Sequence, residues 1–286
     1  MPEYDTFMSV MLQRYVNFRS IVSLAFAAAG GAVLSSLAMA DTRCVGAGGY
    51  ASDLSNYIAE TNLCVEETDV LRADVEQELA DRVNAARTDL GLAPITRRGS
   101  LDMAAKAHAL DMASRDYVAH ADLEGRDHLF RIRAMDRELL VGDFGANVIK
   151  LAASTSDAQL FQTLSQDEEN ALNLVRSSFS DMGIGIAEAD GALYLVMTFA
   201  EAAGKLEQPI PPQIEGRQSM SASLEDGTGA QVGWSITDAS TGALVTNGTF
   251  GRLRATRLDR ETVGAVDIIV QDGARLTMVK GPLVAR

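Results

Sequence analysis

Histidine is the side chain most often used to move protons or hold a metal near neutral pH, and this chain has three: His108, His120 and His128. Any histidine-based catalyst or metal site must draw on them. His108 falls on the apolar stripe of a helical segment and reads as a hydrogen-bonded core histidine. His128 lies in the charged stretch EGRDHLFRIR and is expected to face solvent. His120 closes the phrase DYVAH just past a helix, where grooves place polar groups, and is the candidate for chemistry. The signatures H-E-x-x-H, G-x-S-x-G and the Walker-type loop are absent. Gly183-Ile184-Gly185 lacks a third glycine and leads into a strand, so it is not a phosphate loop. The two cysteines, Cys44 and Cys64, are too few for a disulfide-dense scaffold or a four-thiolate zinc site, and no C-x-x-C pair suggests thiol redox work.

The elements that must position these residues follow from periodicity. Apolar residues from Leu71 through Val75, Leu79, Val83, Ala86 and Leu90 form one helical stripe, which Gly91 and Pro94 stop. Ser100 is expected to cap a second helix that buries Leu101, Ala104, Ala105, His108 and Met112 and ends near Tyr117. Ser156 begins a third with Leu160, Phe161 and Leu164 inside, and Ser165 with Glu168 has the spacing of a capping box for a fourth helix through Val175. The period then changes. Residues 182–188 and 192–200 flank Ala189-Asp190-Gly191 and read as a hairpin, so residues 68–204 are expected to form an α+β domain. Pro209, Pro211 and Pro212 mark a linker at 205–212. Residues 213–286 alternate short β-rich runs with turns and are expected to form a small all-β module with Trp234 in its core. Asn247-Gly248-Thr249 matches a glycosylation sequon, but Asn247-Gly248 is read as a hairpin turn.

Composition limits the partners. The 286 residues are 47% hydrophobic and 22% charged, which excludes collagen-like, low-complexity and wholly disordered chains. A net charge of −14 repels phosphate backbones, so no nucleic-acid partner is expected. Arg14 and Arg19 precede the charge-free run Ser20 to Ala40, where Ala38 and Ala40 bracket Met39 before Asp41. Residues 1–40 therefore read as a secretory signal peptide, with an uncleaved membrane anchor as the alternative; Gly30-Gly31 and the A-x-A motif favour removal. After cleavage no integral membrane span is expected, and the location is secreted or periplasmic. Export permits a Cys44–Cys64 disulfide across the Gly-rich segment 41–67, which would restrict the unfolded chain by about 3 kcal/mol. Two free thiols are the alternative.

Four phrases follow one another in a telling order: LADRVNAARTDLGLAPI, then SLDMAAKAHALDMASRDYVAHADLEGRDHLFRI, then GANVIK, then NLVRSSFSDMGIGIAEADGALYLVMTFAE. Residues 68 to 202 thereby resemble bacterial CAP-superfamily domains, the SCP-like relatives of cysteine-rich secretory proteins, antigen five and plant pathogenesis-related proteins. The resemblance implies an α-β-α sandwich, here followed by the β module. It also implies a cleft in which a histidine after the second helix, a glutamate within Gly-Glu-Asn and a second histidine hold a divalent metal. His120 matches the first histidine, and Gly145 and Asn147 match the phrase around the glutamate. Ala146 stands at the acid, Asn170 at the second histidine, Ala171 at the following arginine and Leu164 at a tryptophan. An alanine has no lone pair and an amide is a poor zinc ligand, so no metal and no other cofactor is expected.

The cleft residues are then His120, Asn147 and Asn170, with His128 as a substitute donor, and no catalytic residue is assigned. The expected function is an exported, non-enzymatic binding protein for a small apolar ligand, an envelope component or a protein partner. The alternative is a hydrolase acting on peptide or cell wall, in which His120 works with Glu168, Glu169 or Asp122. A third reading makes the CAP-like domain a spacer and leaves binding to residues 213–286.

Overall fold

The computed structural model describes residues 45–286 except 226, 228, 250, 251, 255–257, 260 and 261. The expected signal peptide and Cys44, with the disulfide proposed for it, lie outside the described residues. The helices are α1 (Leu54–Glu67), α2 (Ala73–Asp89), α3 (Gly99–Arg115), α4 (His128–Met135), α5 (Asp157–Gln166) and α6 (Glu168–Val175). The strands are β1 (Thr96–Arg97), β2 (Leu139–Ala152), β3 (Asp181–Ala189), β4 (Ala192–Leu206), β5 (Arg217–Ser219), β6 (Ala222–Leu224), β7 (Ala230–Asp238), β8 (Leu244–Gly248), β9 (Arg252–Arg254), β10 (Gly264–Asp272) and β11 (Arg275–Val284). The main sheet has the order β1-β3-β4-β2-β11-β10-β7-β8, with β6 on the far end of β4, while β5 and β9 pair separately.

The hairpin β3–β4 forms where expected because Asp190 (φ 49°) and Gly191 (φ 75°) supply the two left-handed residues of a two-residue turn. Nearly every residue of β3 is buried, so helices cover both faces of the sheet. α3 lies across β3 and β4, while α2 packs on β3, α5 and α6. Gly183 and Gly185 let α3 come this close: a Cβ at Gly185 would stand 2.3 Å from the Lys106 amide. This is the α-β-α sandwich of the expected α+β class, and residues 213–286 contain strands and no helix among the described residues.

Two helix starts differ from expectation. α3 begins at Gly99 with Arg98 at the cap position and no side-chain cap; the Ser100 hydroxyl donates instead to Asp136, which also accepts from Arg98 Nε at 2.6 Å. Ser165 belongs to the last turn of α5, its hydroxyl donating to the Phe161 carbonyl, and Asp167 caps α6 by accepting from the Asn170 amide at 2.9 Å. α5 starts as read, with a complete Ser156–Gln159 capping box.

Residues 45–67 hold more structure than their glycines suggest. Asp53 caps α1, whose buried residues Leu54, Tyr57, Thr61 and Cys64 follow a helical repeat and pack against α3. Asn247 and Gly248 are not a turn: they pair with Ser235 and Trp234 inside the β7–β8 ladder, and the chain reverses at Asp238–Ala243. Trp234 is buried in a core that unites Leu140, Leu206 and Ile210 with Ile236, Val266 and Ile268.

Candidate functional site

The three histidines converge, through the loop between α3 and α4. Asp116 ends α3 in a left-handed conformation (φ 49°) and turns the chain out of the helix. The loop then wraps a buried guanidinium. Arg131, on α4, donates from Nη1 to the Arg126 carbonyl and from Nη2 to the His120 carbonyl, both at 2.6 Å, and from Nη2 to His128 Nδ1 at 3.2 Å. His108 holds the loop from the other side, 2.7 Å from the Ala119 carbonyl through Nε2.

These contacts fix where the protons sit. A guanidinium only donates, so His128 Nδ1 accepts and its Nε2 carries hydrogen. That Nε2 lies 3.1 Å from His120 Nδ1 and donates to it. Neutral His120 therefore carries its own hydrogen on Nε2, and its Nδ1 lone pair is occupied. The rings meet edge to face, with centroids 5.1 Å apart for His120–His128 and 5.5 Å for His108–His128. Burial first, and the Arg131 charge second, push the pKa of His108 down to about 2 and that of His128 far below the usual imidazole range. Both rings stay neutral at ordinary pH.

The solvent-facing expectation for His128 is thus corrected: it is 5% exposed. Asp127 caps α4 by accepting from the Phe130 amide, which turns His128, Arg131 and Ile132 inward at helical spacing while Glu124, Gly125 and Asp127 stay outside. His120 itself is exposed, between the exposed Val118 and Leu123 of the same loop.

Asn147 and Asn170 form a separate cluster. Asn147, fully buried on β2, donates from Nδ2 to the Asn170 carbonyl at 3.1 Å. Asn173, one turn along α6, donates to Asn147 Oδ1 at 2.9 Å and to the Ala146 carbonyl at 3.2 Å. Gly145 makes room, since a Cβ there would stand 2.7 Å from Asn173 Oδ1. The amides lock α6 onto β2. Among the described residues no hydrogen bond joins this cluster to the histidines.

This donor set does not fit the divalent ion that the resemblance implies. Ala146 brings a methyl group to the acid position, Asn170 offers a neutral amide where an imidazole is expected, and the Nδ1 of His120 is taken by His128. Sequence reasoning missed a second group, Asp111, Asp122 and Glu124, whose carboxylate oxygens lie within 4.8 Å of one another. Guanidinium groups already fill it. Arg115 donates to Asp111 at 2.5 Å and to Glu124 at 2.6 Å, Arg126 Nε donates to Asp122 at 2.6 Å, Arg131 stands 4.0 Å from Asp122, and the Tyr117 hydroxyl donates to Asp111. A cation would have to displace these ion pairs. The i,i+4 spacings Asp111–Arg115 and Asp122–Arg126 were the available signal. Of the acids considered as partners for His120, Asp122 is thus turned to arginine, and Glu168 and Glu169 are exposed in the first turn of α6.

The family model of the cysteine-rich secretory protein family (CAP) matches residues 80–199. No curated protein sequence matches the chain. Among solved structures, an outer surface protein from Borrelia burgdorferi superposes with a TM-score of 0.40 at 16% identity, covering 46% of this chain and 94% of that one. An extracellular protein containing a SCP domain from Bacillus anthracis str. Ames gives a TM-score of 0.38 at 19% identity, over 45% of this chain and 40% of that one. A cysteine-rich secretory protein from Staphylococcus aureus gives 0.35 at 18% identity, over 45% of this chain and 38% of that one. The match thus spans less than half the length of the latter two chains. Among the described residues no helix is long and apolar enough to cross a membrane.

Proposed function

Residues 80–199 make this chain a CAP-domain protein of the cysteine-rich secretory protein family, and from that premise we propose an exported binding protein whose cleft holds a ligand instead of catalysing a reaction. The carrying observation is the Arg131-to-His128-to-His120 hydrogen-bond chain, which occupies the Nδ1 lone pair of the one matched imidazole; among the described residues no carboxylate hydrogen-bonds to it. General acid–base work needs a partner that titrates near the working pH, and the one at hydrogen-bond distance, His128, is held neutral by burial and Arg131; hydrolytic zinc needs three protein ligands. What the loop offers is surface: Val118 and Leu123, 46% and 62% exposed, flank His120. That pairing of apolar contacts with one imidazole suits a small apolar molecule with a polar end, such as an envelope component.

The test is extraction and mass spectrometry of the full-length protein purified from its native envelope. An apolar compound should accompany the wild type, and its yield should fall about fivefold or more in the Val118→Ser, Leu123→Ser double variant. A wild type that carries nothing and takes up no envelope fraction sinks the binding reading. Hydrolysis of peptide or cell-wall substrate that disappears in His120→Ala replaces it with the hydrolase. N-terminal sequencing should begin at Asp41 if export proceeds through the A-x-A site.

A further inference from the structure

Away from the histidines, β11 outruns the strand beside it. β10 and β11 keep one register from Asp272↔Arg275 to Asp267↔Lys280, closed by the two-residue turn Gly273-Ala274. On its other side β11 pairs with β2 at a single position, Lys280↔Val141, next to the register shift of β2 between Val141 and Phe144. Lys280 Nζ donates to the Gly142 carbonyl at 3.1 Å at that point. Residues 275–278 lie beyond it and are all exposed. The sheet therefore has an open edge inside it, not only at its ends.

The turn determines which backbone groups line that edge. A two-residue hairpin closes on a pair that exchanges both of its hydrogen bonds, and every second pair after it does the same. Arg275, Thr277 and Val279 thus bond to β10, while the N–H and C=O groups of Leu276, Met278 and Lys280 point outward. Lys280 is the one that β2 takes up, in agreement with this alternation. The side chains of Leu276 and Met278 share one face of the strand and are 65% and 59% exposed, with the partly buried Ile269 opposite Met278 on β10. The other face carries Arg275 and Thr277 and enters the core at Val279. Among the described residues Arg275 has no ion pair, although Asp272 stands opposite it on β10. A second copy suits this edge poorly. The antiparallel registers that align outward residues would set Val279, Thr277 or Gly281 opposite Arg275, none of them acidic, and each copy carries a net charge of −14.

We propose that the open edge of β11 takes up an extended segment of another protein as an added antiparallel strand, with apolar side chains opposite Met278 and Leu276 and an acidic one opposite Arg275. The outward backbone groups of Leu276 and Met278 supply the ladder, their side chains supply the apolar contact, and Arg275 sets the register by charge. Read from its N-terminus, the segment is apolar, any residue, apolar, acidic. The edge is separate from the His120 cleft, and the proposal stands if the apolar-ligand reading fails.

The probe is the N-acetylated, C-amidated peptide Ile-Thr-Ile-Glu-Ser, titrated calorimetrically into the full chain; it begins opposite Met278 and so stops short of the position that β2 holds. The peptide should bind. Methylating the two isoleucine amides, which face β11, should weaken binding about tenfold or more, whereas methylating the threonine and glutamate amides, which face away, should weaken it far less. Lysine in place of the peptide's glutamate should cost about threefold or more, and the Arg275→Glu variant should reverse that preference. Arg275 is exposed, so the variant should keep the wild-type melting temperature. Absence of binding, equal loss from the two methylation patterns, or an unreversed preference in a folded Arg275→Glu chain each overturns the proposal. So does a stable dimer in sedimentation that Met278→Pro dissociates, since that outcome gives the edge to a second copy.

Discussion

At the scale of residues, the chemistry of the histidines is decided by what surrounds them. His108 and His128 are held neutral, so their folded pKa values lie below the unfolded value of about 6.5. Their contribution is fully present above that pH and is lost as the pH falls below it, because the unfolded chain takes up protons that the folded rings refuse. Each is expected to cost about 2 kcal/mol between pH 7 and pH 5. Urea unfolding at the two pH values should show this, and the pH 7 to pH 5 difference should shrink by about 2 kcal/mol in His108→Asn; an unaltered difference would refute the assignment. The amides offer a second test. Asn147→Ala leaves Asn173 Nδ2 without its closer acceptor and removes the Asn147 bond to the Asn170 carbonyl, with an expected loss of about 1–3 kcal/mol in the same assay. The core position of His108 was legible in the sequence. The burial of His128 was not, because its charged neighbours describe a solvated stretch until Asp127 starts a helix there.

At the scale of elements, periodicity served where one face is plainly apolar, as in α2 and α5, and where a turn has its own chemistry, as at Asp190-Gly191. It failed where a polar side chain has a better partner elsewhere. Ser100 has the residue type of a cap but bonds to Asp136, a contact reaching thirty-six positions along the chain. α1 went unread because its buried set includes Thr61 and Cys64 among polar neighbours. Glycine carries the α3–sheet contact. Gly185→Ala would place a Cβ 2.5 Å from the Ala105 carbonyl carbon, among backbone atoms that yield only if the helix moves. A loss of about 3 kcal/mol or more is expected, read as a lowered urea midpoint; a change below about 1 kcal/mol would show that α3 is not seated this tightly.

Over the whole molecule, buried arginines bind the helical part to the C-terminal strands. Arg133 on α4 donates to the Gly281 and Val266 carbonyls at 2.6 Å and to Asp267 at 3.0 Å. Arg137 reaches the Ile210 carbonyl at 2.8 Å and the Leu283 carbonyl at 2.6 Å, and β11 joins β2 through Lys280 and Val141. Arg133→Met would strand the buried Asp267, at an expected cost of about 3–5 kcal/mol, and the added Asp267→Asn change should recover part of it. Trp234 fluorescence and far-ultraviolet dichroism should report one coincident transition in the wild type. Separate transitions would mean that these contacts do not couple the two parts.

The sequence by itself determined the class of fold, the hairpin, most helices of the sandwich and the CAP resemblance. Each of these depends on residue type or on spacings of two to four positions. Tertiary structure alone decided where the histidine protons lie, that Arg131 is enclosed by the His120 loop, and that β11 continues the sheet from β2. Those depend on desolvation and on donors brought together from distant positions, and no local pattern encodes the dielectric or the partner that a side chain meets once the chain closes around it.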